Sequence, residues 1–304
     1  MWNNRNLRLG LVGGMVLVLM ILHQQVLGAL LKVTGRSSPY CDLSNVLTSV
    51  HATTRHGEVE KLVVAKSREL RADGKGYSLW ETPLGQFWIP AASKKEILFN
   101  VAEQMRDIYS FHGHGVKAGD IVLDGGANVG VYTRVALLAG AAKVVAIEPS
   151  PENLECLRRT FEKEVAEGKV IIYPKGIWDK DDSLTFYVSP TNSAENSFVR
   201  KMDDAQAIEQ KLPLTTVDKM VVELGLPRVD YIKMDIEGAE RRAVAGAKST
   251  LAKYHPRLAL CVYHLPDDPE EIPKAVNAAA QYNMECGKCL AASGRVYPEV
   301  FFFF

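Results

Sequence analysis

Hydrophobic and polar positions divide the chain into a continuous apolar run, a mixed stretch and a long alternating body. Leu9 to Leu22 are apolar or glycine without a break; His23, Gln24 and Gln25 interrupt the run, and Val26 to Leu31 resume it. A helix over the first stretch spans roughly 21 Å, short of a bilayer core of about 30 Å, whereas including the resumed part gives about 34 Å. Residues 1–36 therefore read as an N-terminal membrane anchor. No A-x-A-like site follows the run, and Val26-Leu27-Gly28 is a poor substitute, so the anchor reads as uncleaved. A cleaved signal, with the remainder secreted, is the alternative. Arg5 and Arg8 before the run are balanced by Lys32 and Arg36 after it, so charge bias does not set an orientation.

Residues 37–118 read as a linker, a hairpin and a helical extension. Ser44 to Ala65 is polar with scattered apolar positions and is expected to be helical. Tyr77 to Pro90 alternates apolar and polar about Pro83-Leu84-Gly85, the pattern of a hairpin. Ile97, Val101, Met105 and Ile108 recur at helical spacing and predict a helix ending near Tyr109. His112 and His114 follow in a glycine-rich link with no further ligands nearby, which reads as a solvated loop.

Residues 119–304 carry a different rhythm. Short apolar strands are expected at Asp120–Asp124, Lys143–Glu148, Lys169–Tyr173, Val229–Met234 and Arg257–Tyr263. Helices are expected at Val131–Leu138, Pro151–Val165 and Gly238–Leu251, with Leu184–Val188 as an addition to the sheet. The four terminal phenylalanines, Phe301 to Phe304, read as a buried strand. Such strand–helix–strand units imply an α/β fold, a Rossmann-like parallel sheet with helices on both faces.

Composition adds exclusions. The 304 residues hold 36 basic and 36 acidic side chains, a net charge of zero, and no repeat of fixed period. A protein that grips nucleic acid by neutralising phosphates needs a basic stripe, so no nucleic-acid partner is expected. Five cysteines, Cys41, Cys156, Cys261, Cys286 and Cys289, include one C-x-x-C spacing but no second, and read as reduced thiols.

In such a sheet the ligand sits beyond the carboxyl ends of the strands. After the first strand come Asp124-Gly-Gly-Ala-Asn-Val-Gly130, spaced D-x-G-x-x-x-G rather than the G-x-G-x-x-G of a dinucleotide site. An acid at this tip repels pyrophosphate but suits the cationic amino group of S-adenosylmethionine. Glu148, at the tip of the next strand, is placed to accept hydrogen bonds from both ribose hydroxyls. Asp124, Gly126, Asn128, Gly130 and Glu148 thus form a candidate S-adenosylmethionine site. A second dense cluster, Asp230 to Glu240, places Asp235 and Glu237 at the tip of the fourth strand.

Paired with Ile232-Lys-Met-Asp-Ile-Glu-Gly-Ala-Glu240, the Asp124–Gly130 loop resembles the FkbM family of S-adenosylmethionine-dependent methyltransferases. The resemblance runs from about Tyr77 to Phe304 and takes in Gly85–Pro90, Asp107–Tyr109, Leu214–Asp218 and Val262-Tyr-His264. It implies a seven-stranded methyltransferase sheet and transfer of a methyl group, usually to oxygen, on hydroxyls of polyketides, sugars or glycolipids. It also places the adenine edge near Gly176-Ile-Trp178.

Methyl transfer to an alcohol is an in-line displacement dominated by positioning, worth up to about 7–11 kcal/mol, with loss of the hydroxyl proton. His264 and Asp235 are the candidate bases, and Glu237 either joins them or starts a helix. Lys233 is a candidate charge partner of Glu240, and Ser193 and Ser197 are candidates for the acceptor pocket. A metal at Asp235 and Glu237 would need a third ligand that the sequence does not identify, so no metal is expected. The expected partners are a small-molecule or glycan hydroxyl acceptor and, through the anchor, a membrane. Because the cofactor is made in the cytosol, the catalytic part is expected to face the cytoplasm. The rival functions are a non-catalytic binding module on the same fold and an NAD-dependent oxidoreductase, the latter opposed by Asp124 and the missing dinucleotide motif.

Overall fold

The computed structural model describes residues 26, 30–189, 193, 196–199 and 208–304. The apolar run Leu9–Leu22 and Asn192 of the polar loop lie outside them. Among the described residues, no helix is long and apolar enough to cross a membrane.

Contacts divide the chain into two compact units, Met1–Arg55 with Lys288–Pro298, and His56–Gly287 with Glu299–Phe304. In the first, Ser37 bridges Val296 and a disulfide joins Cys41 to Cys289. This corrects the reading of reduced thiols. Cys289 is spent on a partner 248 residues away, and Cys286 takes no part in that bond, so the C-x-x-C spacing is not a redox pair. Sequence spacing cannot reveal a pairing set by distance in the fold.

The second unit opens with the end of the helix Leu43–Lys66 and an antiparallel sheet of β1 (Arg68–Ala72), β2 (Tyr77–Thr82) and β3 (Gly85–Pro90). β2 and β3 pair Tyr77 with Pro90 through to Thr82 with Gly85, the expected hairpin. The following helix, Lys94–Gln104, stops short of Tyr109. Asp107 has a φ of 53°, which a right-handed helix cannot accommodate.

The main sheet contains β4 (Ile121–Gly125), β5 (Lys143–Ile147) and β6 (Val170–Tyr173). A separate small sheet is built from β7 (Gly176–Ile177), β8 (Asp182–Val188) and β9 (Ile208–Thr215), in the order β7-β9-β8. The strand expected at Leu184–Val188 therefore belongs to this second layer and not to the main sheet. β10 (Tyr231–Met234), β11 (Arg257–Cys261), β12 (Met284–Ala292) and β13 (Arg295–Phe303) complete seven strands in the order β12-β13-β11-β10-β4-β5-β6. β4, β5, β6, β10 and β11 pair in parallel, but β13 runs antiparallel to β11, so the sheet is mixed. Phe301, Phe302 and Phe303 are fully buried in β13, as their apolar run requires.

The single helix expected over Gly238–Leu251 is two, Glu240–Ala245 and Lys248–Tyr254. Between them Gly246 lies against the carbonyl of Trp178, where a Cβ would come within 2.1 Å of the oxygen. The chain leaves β4 toward β5 and β6 on one side and returns to β10 on the other. This reversal opens a crevice between the carboxyl ends of β4 and β10. Register makes those ends level: Gly125 pairs with Met234 and with Ile147. Gly126, Asp235 and Glu148 are thereby brought to one rim.

Candidate active site

The glycine loop is drawn tightly over the β10 end. The N–H groups of Gly126 and Ala127 both donate to the Ile147 carbonyl. Gly126 has a φ of +72°, and a Cβ there would stand 1.9 Å from the Asp235 carbonyl oxygen. No side chain fits without backbone movement. Gly126→Ala is therefore expected to lower the unfolding free energy by roughly 2–5 kcal/mol, combining left-handed strain with overpacking, as measured by urea denaturation.

Asp124 does not face the crevice. Its carboxylate is wholly buried; Oδ2 accepts from the Thr133 hydroxyl at 2.6 Å, and Oδ1 lies 3.3 Å from Lys233 Nζ. Lys233 also donates to the carbonyls of Gly125 and Gly126. Burial lowers the lysine pKa, but the charges of Asp124 and Asp235 outweigh it and leave the pKa above its ordinary value. The sequence-based pairing of Lys233 with Glu240 is corrected accordingly: Asp124 and Lys233 are neighbours across β4 and β10. Asp124 lines neither cavity described below, so it supports the loop from beneath.

Glu148 is at the rim. One carboxylate oxygen accepts from Asn128 N–H and the other from Ser150 N–H, both at 2.9 Å. Burial nevertheless pushes its pKa up to about 7, because two hydrogen bonds do not replace a hydration shell. Asn128 adopts a φ of 51° and donates its side-chain amide to the Ser193 carbonyl.

The third cluster follows β10. Asp235 Oδ2 accepts from the Tyr109 hydroxyl at 2.7 Å. The His264 side chain is buried, with Nε2 3.3 Å from Asp235 Oδ1 and 3.5 Å from Glu237 Oε1, and Nδ1 3.0 Å from Glu240 Oε1. Burial opposes charge on His264, but the three carboxylates raise its pKa well above the usual imidazole range. Burial also opposes charge on Asp235, yet His264 and Lys233 hold its carboxyl well below the usual carboxylate range. In the free protein the ring therefore carries a proton held among acids, which makes it a weak acceptor for a substrate proton. Glu240 is a turn cap: its oxygens accept from Ile236 and Gly238 N–H.

Two cavities meet here. The larger, about 470 Å³, is lined by Glu96, Phe99, Glu103, Tyr109 and Tyr132 among others. The smaller, about 60 Å³, is lined by Glu148, Ile177, Phe186, Ser193 and Phe198. Gly126, Asn128, Asp235 and Glu237 line both. Of the residues expected near a ligand, Gly176 and Ile177 reach the smaller cavity. Trp178 does not, and lies against the Arg242 guanidinium instead. Ser197 donates to the Glu237 carbonyl at 2.9 Å and lines neither cavity. Glu103, which the sequence reading passed over, does face the larger cavity. Burial, with Asp235 and Glu299 nearby, pushes its pKa up to about 8. Its signal was present: Glu96, Asn100 and Glu103 make a polar stripe at helical spacing beside the buried Ile97 and Val101.

Comparison with known proteins agrees with this geometry. Residues 124–287 match the Methyltransferase FkbM domain family. The chain is 25% identical over 162 residues to the hexuronic acid methyltransferase AglP of Haloferax volcanii, covering 53% of this chain and 62% of that protein. It is 25% identical over 166 residues to the 31-O-demethyl-FK506 methyltransferase FkbM of Streptomyces tacrolimicus (46% and 64%). Identity is 31% over 156 residues to the 2-O-methyltransferase NoeI of Sinorhizobium fredii (45% and 61%). The chain thus spans about three fifths of the length of each. The matched segment covers more than half of the chain, from the glycine loop at the end of β4 through the acids after β10 into β12, and on that extent the chain belongs to the FkbM methyltransferase family.

Proposed function

We propose that the protein transfers a methyl group from S-adenosylmethionine to a hydroxyl of a small molecule, sugar or glycolipid. The observation that carries this is the pair of adjoining cavities sharing Gly126, Asn128, Asp235 and Glu237. The smaller joins apolar walls, Ile177, Phe186 and Phe198, to the Glu148 carboxylate, a lining that suits an adenine ring beside an acceptor for a ribose diol. The larger has the room and the polar lining for an acceptor. Three relatives whose names specify methyl transfer, one to a hexuronic acid and one to a 2-oxygen, support an oxygen acceptor.

The cofactor, when bound, supplies a methyl carbon already activated by its sulfonium. The residues of this chain then have two tasks. Glu148, Gly126 and Asn128 hold the nucleoside at the rim, and Asp235 presents an ionised carboxylate at the junction to the cationic end. The acceptor hydroxyl is positioned in the larger cavity, with Asp235 and Glu237 within its reach. His264, behind them, fixes both carboxylates and completes the catalytic group read from the sequence. The apolar run before Lys32 supports a membrane tether. The Cys41–Cys289 disulfide favours an oxidising surrounding, which weighs against the cytoplasmic placement suggested by cofactor supply.

Titration calorimetry with S-adenosylhomocysteine, S-adenosylmethionine and NAD tests the reading. Micromolar binding of both adenosyl ligands and none of NAD is the expected result. Binding of NAD alone would sink it in favour of an oxidoreductase. Adenosyl binding without methyl transfer to any hydroxyl acceptor would favour a binding module.

A further inference from the structure

The geometry points to a binding site for a divalent transition-metal cation formed by Asp235, Glu237 and His264 at the junction of the two cavities. One ligand atom from each lies within 4.8 Å of the others, and His264 Nε2 stands 3.3 Å from Asp235 Oδ1 and 3.5 Å from Glu237 Oε1. Donors bonded to one metal at about 2.0–2.2 Å are roughly 3–3.5 Å apart, so the trio needs little movement to close on an ion.

Three further observations favour a ligand over a self-contained ion pair. The His264 side chain is wholly buried, yet Nε2 and Asp235 Oδ1 face each other only as an ion pair at 3.3 Å, without the geometry of a hydrogen bond. Buried polar atoms left so are rare and costly. The outer groups are those that orient metal ligands: the Glu240 carboxylate lies 3.0 Å from Nδ1, and the Tyr109 hydroxyl occupies Asp235 Oδ2, leaving Oδ1 to the junction. Finally, Glu237 is held at a φ of 56°, a left-handed conformation costly for glutamate, with Ser197 pinning its carbonyl.

A rival trio, Glu240, His264 and Asp268, is also compact. Its acids are already spent: Glu240 caps the turn, and Asp268 accepts from Leu265 N–H and pairs with Arg241. One imidazole with two carboxylates suits Mn²⁺ or Zn²⁺ better than the all-oxygen preference of Mg²⁺ or Ca²⁺. The ion takes the place of the proton on Nε2. Because Asp235 and Glu237 line both cavities, its remaining positions serve acceptor oxygens. That role rests on the proposed methyl transfer; the site itself does not.

The test uses the full chain and MnCl2 or ZnCl2 as probes, followed by calorimetry and, for Mn²⁺, water-proton relaxation. S-adenosylhomocysteine binding is measured on the same preparations. One ion per chain is expected, bound about tenfold or more weakly in Glu237→Gln and in His264→Gln, and unchanged in Glu285→Gln, an acid that pairs with the exposed His112 and lines neither cavity. Because His264 is buried, Glu237→Gln alone decides if His264→Gln fails to fold. Binding of neither ion at millimolar concentration, or binding indifferent to Glu237→Gln, would overturn the site. Metal binding without S-adenosylhomocysteine binding would uphold the site and count against the cofactor reading instead.

Discussion

Asp124→Ala is expected to lower the unfolding free energy by about 3–5 kcal/mol, because it leaves a buried ammonium without its contacting counter-charge. Lys233 is almost wholly enclosed, at 4% side-chain exposure; its hydrogen-bond partners, the Gly125 and Gly126 carbonyls, are neutral, and the charge of Asp235 acts on it without such a bond. The Thr133 hydroxyl loses its acceptor at the same time. Urea unfolding measures the loss. Asp124→Leu combined with Lys233→Met should recover much of it, since replacing both members of a buried pair by apolar groups is often neutral. A double variant no more stable than the single one would show that the pair is not the source. Loss of cofactor binding in Asp124→Ala would accordingly follow from a loop that has lost its support, since this carboxylate does not touch the crevice.

The second large effect is a pH dependence at Glu148. Its pKa in the fold is about 7, above that of an exposed glutamate. For an acid raised on folding, the stabilising contribution is full below the unfolded pKa and declines as pH rises through the folded value. The free protein should therefore lose stability from this group between about pH 4.5 and pH 7. Ligand affinity runs the other way. Only the carboxylate can accept from two ribose hydroxyls, so S-adenosylhomocysteine should bind up to about tenfold more weakly for each pH unit below 7. Thermal melts with and without this ligand, at pH 5.5 to 8, measure both slopes together. Glu148→Gln should flatten both and weaken binding by roughly tenfold to a hundredfold, the cost of about 1.5–3 kcal/mol for a charge-assisted hydrogen bond. An unchanged affinity profile in Glu148→Gln would remove Glu148 from the ribose.

What the sequence discloses depends on how its pattern is made. β4, β5, β10 and β11 are almost entirely buried, and their unbroken apolar runs announce them. β1, Arg68–Ala72, is exposed at every position and has no alternation to read. The acids at the strand tips, Glu148 and Asp235, are legible because in this topology the strand ends open on a crevice, and both line a cavity there. Asp124 misleads because it too lies near a tip: side chains alternate along a strand, and this one meets Thr133 and Lys233 instead of the crevice. The role of Lys233 needs the β4–β10 register, which no local spacing contains. His264, read from the sequence as a candidate base, comes from beyond β11, and its closeness to Asp235 and Glu237 likewise rests on the fold and on no local spacing.

The bond between Cys41 and Cys289 closes a covalent ring around almost everything the fold depends on. Every strand from β1 to β11, the residues that line both cavities and the acids from Glu96 to Asp268 lie between those two residues. A single cut anywhere within that span opens the ring without releasing a fragment, so the two pieces stay in one molecule until a reductant is added. Chain ends made by such a cut remain tethered near their places in the fold, and rejoining the sheet does not require two molecules to meet.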